Sequence, residues 1–187
     1  MAFSLKSLFR PKGDALDAYR LYGAIVDQAR RIEFYRDFGV PDSPAGRFSL
    51  IALHGFLVME RLARDAEVAT LAQAVFDAMF ADMDRNLREM GVGDLSVGKK
   101  VKALAQHFYG LSDAVRRGLE GTPAELQTAL SRNIYGETPV DQHAVRVLAA
   151  YVRAATGLLA GQASRDLVRG RVVFAPLSAE ADDVVTG

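Results

Sequence analysis

Five carboxylates fall close together in the middle of the chain, a pattern found in metal sites and in polar interaction surfaces. Residues 76–94 read FDAMFADMDRNLREMGVGD. At about 100° per residue on a helix, Asp82 and Glu89 project to one flank and Asp84 to the other, so one helix cannot direct them all at one ion. We predict a solvated, ion-paired face and no metal; pairing with acids of another helix is the alternative. The carboxylates are Asp77, Asp82, Asp84, Glu89 and Asp94.

Three histidines are the other side chains able to carry chemistry. His54, His107 and His143 stand on separate predicted helices, and none has the HExxH spacing of a metal site. We interpret His54 and His107 as core-edge or hydrogen-bonded histidines; haem or metal ligation is the alternative. The sequence has no cysteine, phosphate-binding loop or nucleophile elbow, so we predict no catalytic residues and no cofactor.

An apolar stripe runs along the same segment as the carboxylates. On a helical wheel its members cover roughly a third of the circumference, which is typical of a core-facing seam. Three of them are methionines, and this flexible side chain also suits a surface that accepts varied apolar partners. The stripe is therefore either core or a surface kept for a partner. Its members are Phe76, Met79, Phe80, Met83, Leu87 and Met90.

A lysine cluster follows the stripe. Lys99, Lys100 and Lys102 are three of the five lysines in the chain. A solvated helix face is one interpretation. A contact with phosphate groups, such as those of ribosomal RNA, is the other, because ammonium groups on a helix bind a nucleic-acid backbone without reading its sequence.

Helices are predicted for nearly all of the chain, from the spacing of apolar residues and from glycine and proline breaks. Ser43 and Thr122, each followed by proline, are predicted N-caps, and Asp94 or Ser96 is expected to cap another helix. We predict one all-α domain of six or seven helices at 14–169, after a basic and apolar N-terminal segment (1–13) and before an extended C-terminal tail (170–187). The helices are predicted at 14–37, 44–64, 67–90, 94–118, 123–135 and 139–159, with a short seventh ending at 168.

Composition excludes several classes of protein. With 23 basic and 23 acidic residues the formal net charge is zero, so we expect no electrostatic capture of DNA. The sequence has no run of about 18 apolar residues, so we predict no membrane-spanning helix. The N-terminal segment has apolar and basic residues without acids, which makes a weak peripheral contact with an anionic membrane the alternative to a frayed terminus.

The sequence FADMDRNLREMGVGDLSVGKKVKALAQHFYG, residues 80–110, resembles the signature of the ubiquinol–cytochrome c chaperone family. The resemblance extends over about residues 19–151. The other matching elements are Gln28-Ala29-Arg30, Phe34-Tyr35, Val40-Pro41-Asp42, Gly46-Arg47-Phe48, Leu53-His54, Phe56-Leu57 and Arg132-Asn133-Ile134-Tyr135.

The resemblance implies an all-helical, non-enzymatic assembly chaperone. It implies that the client is newly made cytochrome b, apo or nascent, during biogenesis of ubiquinol–cytochrome c reductase (respiratory complex III). It also implies a small partner chaperone and the ribosome as partners. The short N-terminal segment favours a bacterial member in the cytoplasm, peripheral at the inner face of the membrane. The alternatives are an all-helical haem- or metal-dependent enzyme and a helical adaptor for another membrane complex.

On this interpretation we expect part of the apolar stripe to be exposed as the client-binding surface, because a holding chaperone needs apolar area rimmed by polar groups. Some stripe residues must nevertheless be core, since the helix has to pack. The expected client-binding residues are Phe76, Met79, Phe80, Met83, Phe108 and Tyr109, and the expected rim is Asp82, Asp84, Arg88, Glu89 and Asp94.

Overall fold

The computed structural model describes residues 12–177, with side chains from residue 15 onward. The N-terminal segment (1–13), with its alternative interpretations of a frayed terminus and a lipid contact, and the end of the tail (178–187) lie largely outside these residues. The predicted all-α class is confirmed. Eight α-helices and one π-helical segment follow one another within the described range: α1 Lys12–Ala29, α2 Glu33–Arg36, α3 Pro44–Ala63, α4 Ala69–Glu89, α5 Asp94–Glu120, α6 Pro123–Leu130, a π-helical segment Ser131–Tyr135, α7 Gln142–Ala160 and α8 Ser164–Val168.

The first predicted helix is wrong in extent, because the chain turns between α1 and α2. After Ala29 the backbone turns, and α2 places Phe34 in the core. Phe34 and Phe38 are 0% and 1% exposed and meet edge to face at 5.5 Å. A helix that continued straight from α1 would direct these two rings away from the core. Their burial therefore accounts for the break between α1 and α2.

The central helix is α3, which other helices surround. Ser43 caps it as predicted, its Oγ accepting from the Gly46 amide at 3.1 Å, with Pro44 in the first turn. Helices α1, α4, α5 and α7 and the π-helical segment all contact α3. A side chain on almost any face of α3 is therefore buried, including those of all residues from 48 to 59.

Helices α4 and α5 form a long hairpin. Gly91, at φ +80°, makes the turn, and Gly93 occupies the N-cap of α5, so neither Asp94 nor Ser96 is the cap that the sequence suggested. Thr122 caps α6 as predicted, in a capping box with Glu125.

The described part of the C-terminal tail packs on the domain. Residues 171–177 are extended, and the Gln162 side chain pairs with the Val173 backbone, accepting from its N–H at 2.8 Å and donating to its carbonyl at 2.7 Å. Phe174 meets the His54 ring edge to face at 5.2 Å. None of the helices within residues 12–177 is both long and apolar enough to cross a membrane.

Candidate functional site

Four of the six expected client-binding side chains belong to the core. Phe76, Met79 and Phe108 are fully buried and Phe80 is 3% exposed. The prediction that they are open to a client is wrong for the folded monomer, because α1, α3 and α5 all pack on α4. The rings form one cluster, with centroid distances of 4.6 Å for Phe76–Phe80 and 5.4 Å for Phe76–Phe108.

The other two expected residues lie at the core's edge. Met83 packs partly buried against the core, one turn beyond Met79. Tyr109 is partly buried and stacks on Phe76 at 5.8 Å, and burial raises the pKa of its hydroxyl. Met83 and Tyr109 therefore keep some surface that a partner can contact.

The α4–α5 hairpin extends past its neighbour α3. Phe48 contacts Phe80 at 6.5 Å and His107 at 5.9 Å, which sets the helices in register. α3 begins four residues before Phe48, whereas antiparallel α4 continues nine residues after Phe80. At about 1.5 Å per residue the hairpin extends roughly 7 Å beyond the start of α3.

The N-terminal turns of α1 lie along this projecting part. The Tyr22 hydroxyl donates to the Asp82 carboxylate at 2.9 Å, and Tyr19 is within electrostatic range of Arg85. Helix α1 therefore runs antiparallel to α4, and this places Leu16 level with the last turn of α4.

Most of the large exposed apolar side chains of the described residues gather here. Leu95 is 94% exposed, Met90 66%, Leu16 57% and Tyr19 50%. None of these four is among the six client-binding residues expected from the sequence, and of the four only Met90 belongs to the apolar stripe. We call Leu16, Tyr19, Met83, Met90 and Leu95 the hairpin end.

The expected rim residues lie at the end of α4 and the start of α5, beside the hairpin end, and their role as a rim stays a prediction. Arg88 pairs with Asp84 at 2.7 Å and with Asp94 across the hairpin turn, and Glu89 is exposed. Asp82 is the exception, since it accepts from Arg85 and from the buried Tyr22 and so also holds α1 on α4. Burial and the Asp82 charge raise the pKa of Tyr22.

The lysine cluster lies on α5 beside the hairpin end. Lys99, Lys100 and Lys102 are exposed, and residues 95–112 include no carboxylate. This stretch of α5 therefore presents positive charge beside the apolar side chains, whereas the end of α4 presents paired acids and arginines.

His54 and His107 are structural, whereas His143 is exposed on α7, and no group of three or more metal-binding side chains forms within the described residues. His54 is fully buried, with Nδ1 2.7 Å from the Leu50 carbonyl and Nε2 2.8 Å from the Tyr151 hydroxyl. Burial lowers the pKa of His54 to about 4. The His107 Nε2 lies 2.9 Å from Ser49 Oγ, so both histidines are hydrogen-bonded as predicted.

Comparison with known proteins identifies the family. The model of the ubiquinol-cytochrome C chaperone family matches residues 36–174. The chain belongs to this family. Because this is a family of chaperones and not of enzymes, the predicted class of protein is confirmed and the haem- or metal-dependent enzyme alternative is set aside.

The similar proteins agree with the ubiquinol–cytochrome c chaperone assignment. The chain is 24% identical over 148 residues to ubiquinol-cytochrome c reductase complex assembly factor 1 of Drosophila melanogaster (76% of this chain, 57% of the relative). It is 24% identical over 162 residues to the human protein of the same name (86% and 54%). It therefore spans little more than half the length of these relatives. The crystal structure of the Cbp3 homolog from Brucella abortus superimposes with a TM-score of 0.77 at 35% identity, covering 88% of this chain and 92% of that one.

Proposed function

We propose that this protein is an assembly chaperone for ubiquinol–cytochrome c reductase that binds newly made cytochrome b through the hairpin end. The observation that carries the proposal is the family match over residues 36–174. The names of the fly and human relatives, which are assembly factors of that reductase, support it.

The physical argument concerns what an unassembled membrane protein exposes. Its apolar segments aggregate in water unless another apolar surface covers them. The hairpin end offers such side chains, and the neighbouring Asp84, Arg88 and Glu89 keep the chaperone itself in solution. The two methionines in it, Met83 and Met90, adapt to clients of irregular shape.

The remaining partners form part of the same proposal. The exposed Lys99, Lys100 and Lys102 suit ribosomal RNA near the site of client synthesis, and they also suit an anionic membrane. A small partner chaperone would complete the complex. The chaperone would then act on the cytoplasmic face of the membrane into which the client is inserted.

Site-specific crosslinking tests the surface. A photo-activatable residue placed at Met90 or Leu95 should give an adduct with newly synthesised cytochrome b. The same probe at Arg146, an exposed residue of α7, is the control and should not. Equal adducts at all three positions, or none at Met90 and Leu95, would reject the hairpin end as the binding surface.

Gene deletion tests the client. We expect loss of cytochrome b and of reductase activity, with other respiratory complexes retained. Loss of a different membrane complex with normal cytochrome b would instead indicate an adaptor for that complex.

A further inference from the structure

A cleft of about 370 Å³ opens at the opposite end of the bundle from the hairpin end, where α3, α5 and α7 terminate. Its walls are rich in arginine, and its volume is within the range of small-molecule sites. The charged lining residues are Glu60, Arg61, Arg64, Arg116, Glu120 and Arg153.

Two of these arginines are held in place by backbone carbonyls. Arg61 donates to the carbonyls of Leu159 at 3.1 Å and Gln162 at 2.7 Å, at the end of α7. Arg153 donates to the carbonyl of Gly118 at 3.1 Å and to others at the end of α5. Carbonyls at helix ends need such donors. These contacts fix both guanidinium groups; Arg61 also donates to the Ser164 hydroxyl at 3.2 Å, which in turn donates to the Asp65 carboxylate outside the cleft lining.

A third arginine joins the charged wall to an apolar floor. Arg116 pairs with Glu60 at 2.8 Å, and its guanidinium lies 5.2 Å from the centre of the Phe56 ring. Planar guanidinium groups stack favourably on aromatic faces. Leu57, Leu119 and Leu159 complete the apolar floor.

The charges lining the cleft do not balance. Four arginines face two glutamates, a surplus of two positive charges. Each helix end contributes only about half a negative charge, so the three ends offset part of this surplus and not all of it. An anionic group is therefore favoured, and an arginine fork can bind a carboxylate or a phosphate through two parallel hydrogen bonds.

We propose that this cleft binds a small anionic amphiphile, with a carboxylate or phosphate-ester head at the arginines and an apolar body on the floor formed by Phe56 and the leucines. Neither half of the ligand suffices alone, because the charged wall and the apolar floor bind different parts of it. The site is separate from the hairpin end, and the proposal holds or fails independently of the client.

Calorimetric titration of the whole protein with matched probes tests the ligand class. Decanoate and decyl phosphate, used below their aggregation concentrations, carry the two head groups on one chain length. Decanol carries the chain alone, and acetate and inorganic phosphate carry the heads alone. We expect saturable one-to-one binding of at least one ten-carbon anion, and the tighter of the two identifies the head group. Decanol and the bare heads should bind at least fivefold more weakly.

Charge variants then locate the site. Arg64 and Glu120 are exposed at the cleft, at the ends of α3 and α5. Arg146 is exposed on α7 and does not line the cleft. R64Q should raise the dissociation constant about two- to fivefold, the range of an exposed ion pair. E120Q should lower it, and R146Q, which removes the same charge, should leave it unchanged. Equal effects of R64Q and R146Q, equal binding of decanol and the anions, or no saturable binding would each overturn the proposal.

Discussion

The Tyr151 hydroxyl donates a hydrogen bond of 2.8 Å to Nε2 of His54 at the centre of the bundle. The Leu50 carbonyl can only accept, so Nδ1 carries the proton of the neutral ring and Nε2 must accept. The Gln28 amide donates in turn to Tyr151 at 3.0 Å. This series of hydrogen bonds joins α1, α3 and α7 and satisfies both ring nitrogens of the buried imidazole.

Replacing Tyr151 by phenylalanine tests this chain. Y151F leaves Nε2 of His54 buried without a donor, so we expect a loss of about 1–3 kcal/mol in the free energy of unfolding. Urea unfolding at pH 7.5 measures it. Y19F removes the same hydroxyl from a half-exposed tyrosine and should change the stability by less than about 0.5 kcal/mol. Equal effects of the two substitutions would contradict a structural role for the Tyr151 hydroxyl.

Stability should fall in mild acid because of His54. Burial lowers its pKa to about 4, against 6.5 for an unperturbed histidine, so the unfolded chain binds its proton first. The contribution of the neutral, buried His54 to the free energy of unfolding is complete above pH 6.5. It is lost as the pH falls toward 4, which lowers the free energy of unfolding by about 3 kcal/mol in total.

Urea unfolding at pH 7.5, 6.5, 5.5 and 5.0 checks this dependence above the range in which carboxylates titrate. Burial also lowers the pKa of His107, which contributes with the same sign. H107Q removes the contribution of His107, so the fall in the free energy of unfolding that remains between pH 7.5 and 5.0 belongs to His54. A constant free energy of unfolding from pH 7.5 to 5.0 in H107Q would rule out the buried neutral His54.

Two methionines of the same stripe should respond oppositely to truncation. Met79 is fully buried, so M79A should cost about 2–5 kcal/mol of stability. Met90 is 66% exposed, so M90A should change stability by less than about 0.5 kcal/mol and reduce the capture of cytochrome b. Thermal or urea unfolding combined with client co-purification separates these effects. If M90A unfolds the protein, Met90 is a core residue.

Two helical glycines should also behave differently as alanines. A Cβ at Gly46 would lie 2.0 Å from the Pro41 carbonyl oxygen, which forces the backbone apart, so G46A should destabilise the fold by more than 1 kcal/mol. A Cβ at Gly98 meets nothing within 4 Å, and alanine favours the helix, so G98A should stabilise by about 0.5–1 kcal/mol. A stable G46A variant would mean that the approach to Pro41 relaxes freely.

The local signals were predictable where one residue type has one favourable position. Ser43 and Thr122 cap their helices because a side-chain oxygen before a proline satisfies free N–H groups at a helix start. The end of the first helix was not predictable, because Phe34 and Phe38 turn inward only to meet His54 and Tyr151 from distant parts of the chain.

The amino-acid sequence by itself determined the helical class, the two caps that precede a proline, the family and the apolar stripe, since these depend on spacing along the chain. Only the tertiary structure decided which stripe residues are exposed. Phe76 and Met79 are covered on the sides where α3 and α5 pack, whereas Met90 lies on the part of the hairpin beyond the start of α3. Helical periodicity gives the direction of a side chain about its axis, and burial depends on what the rest of the chain places there.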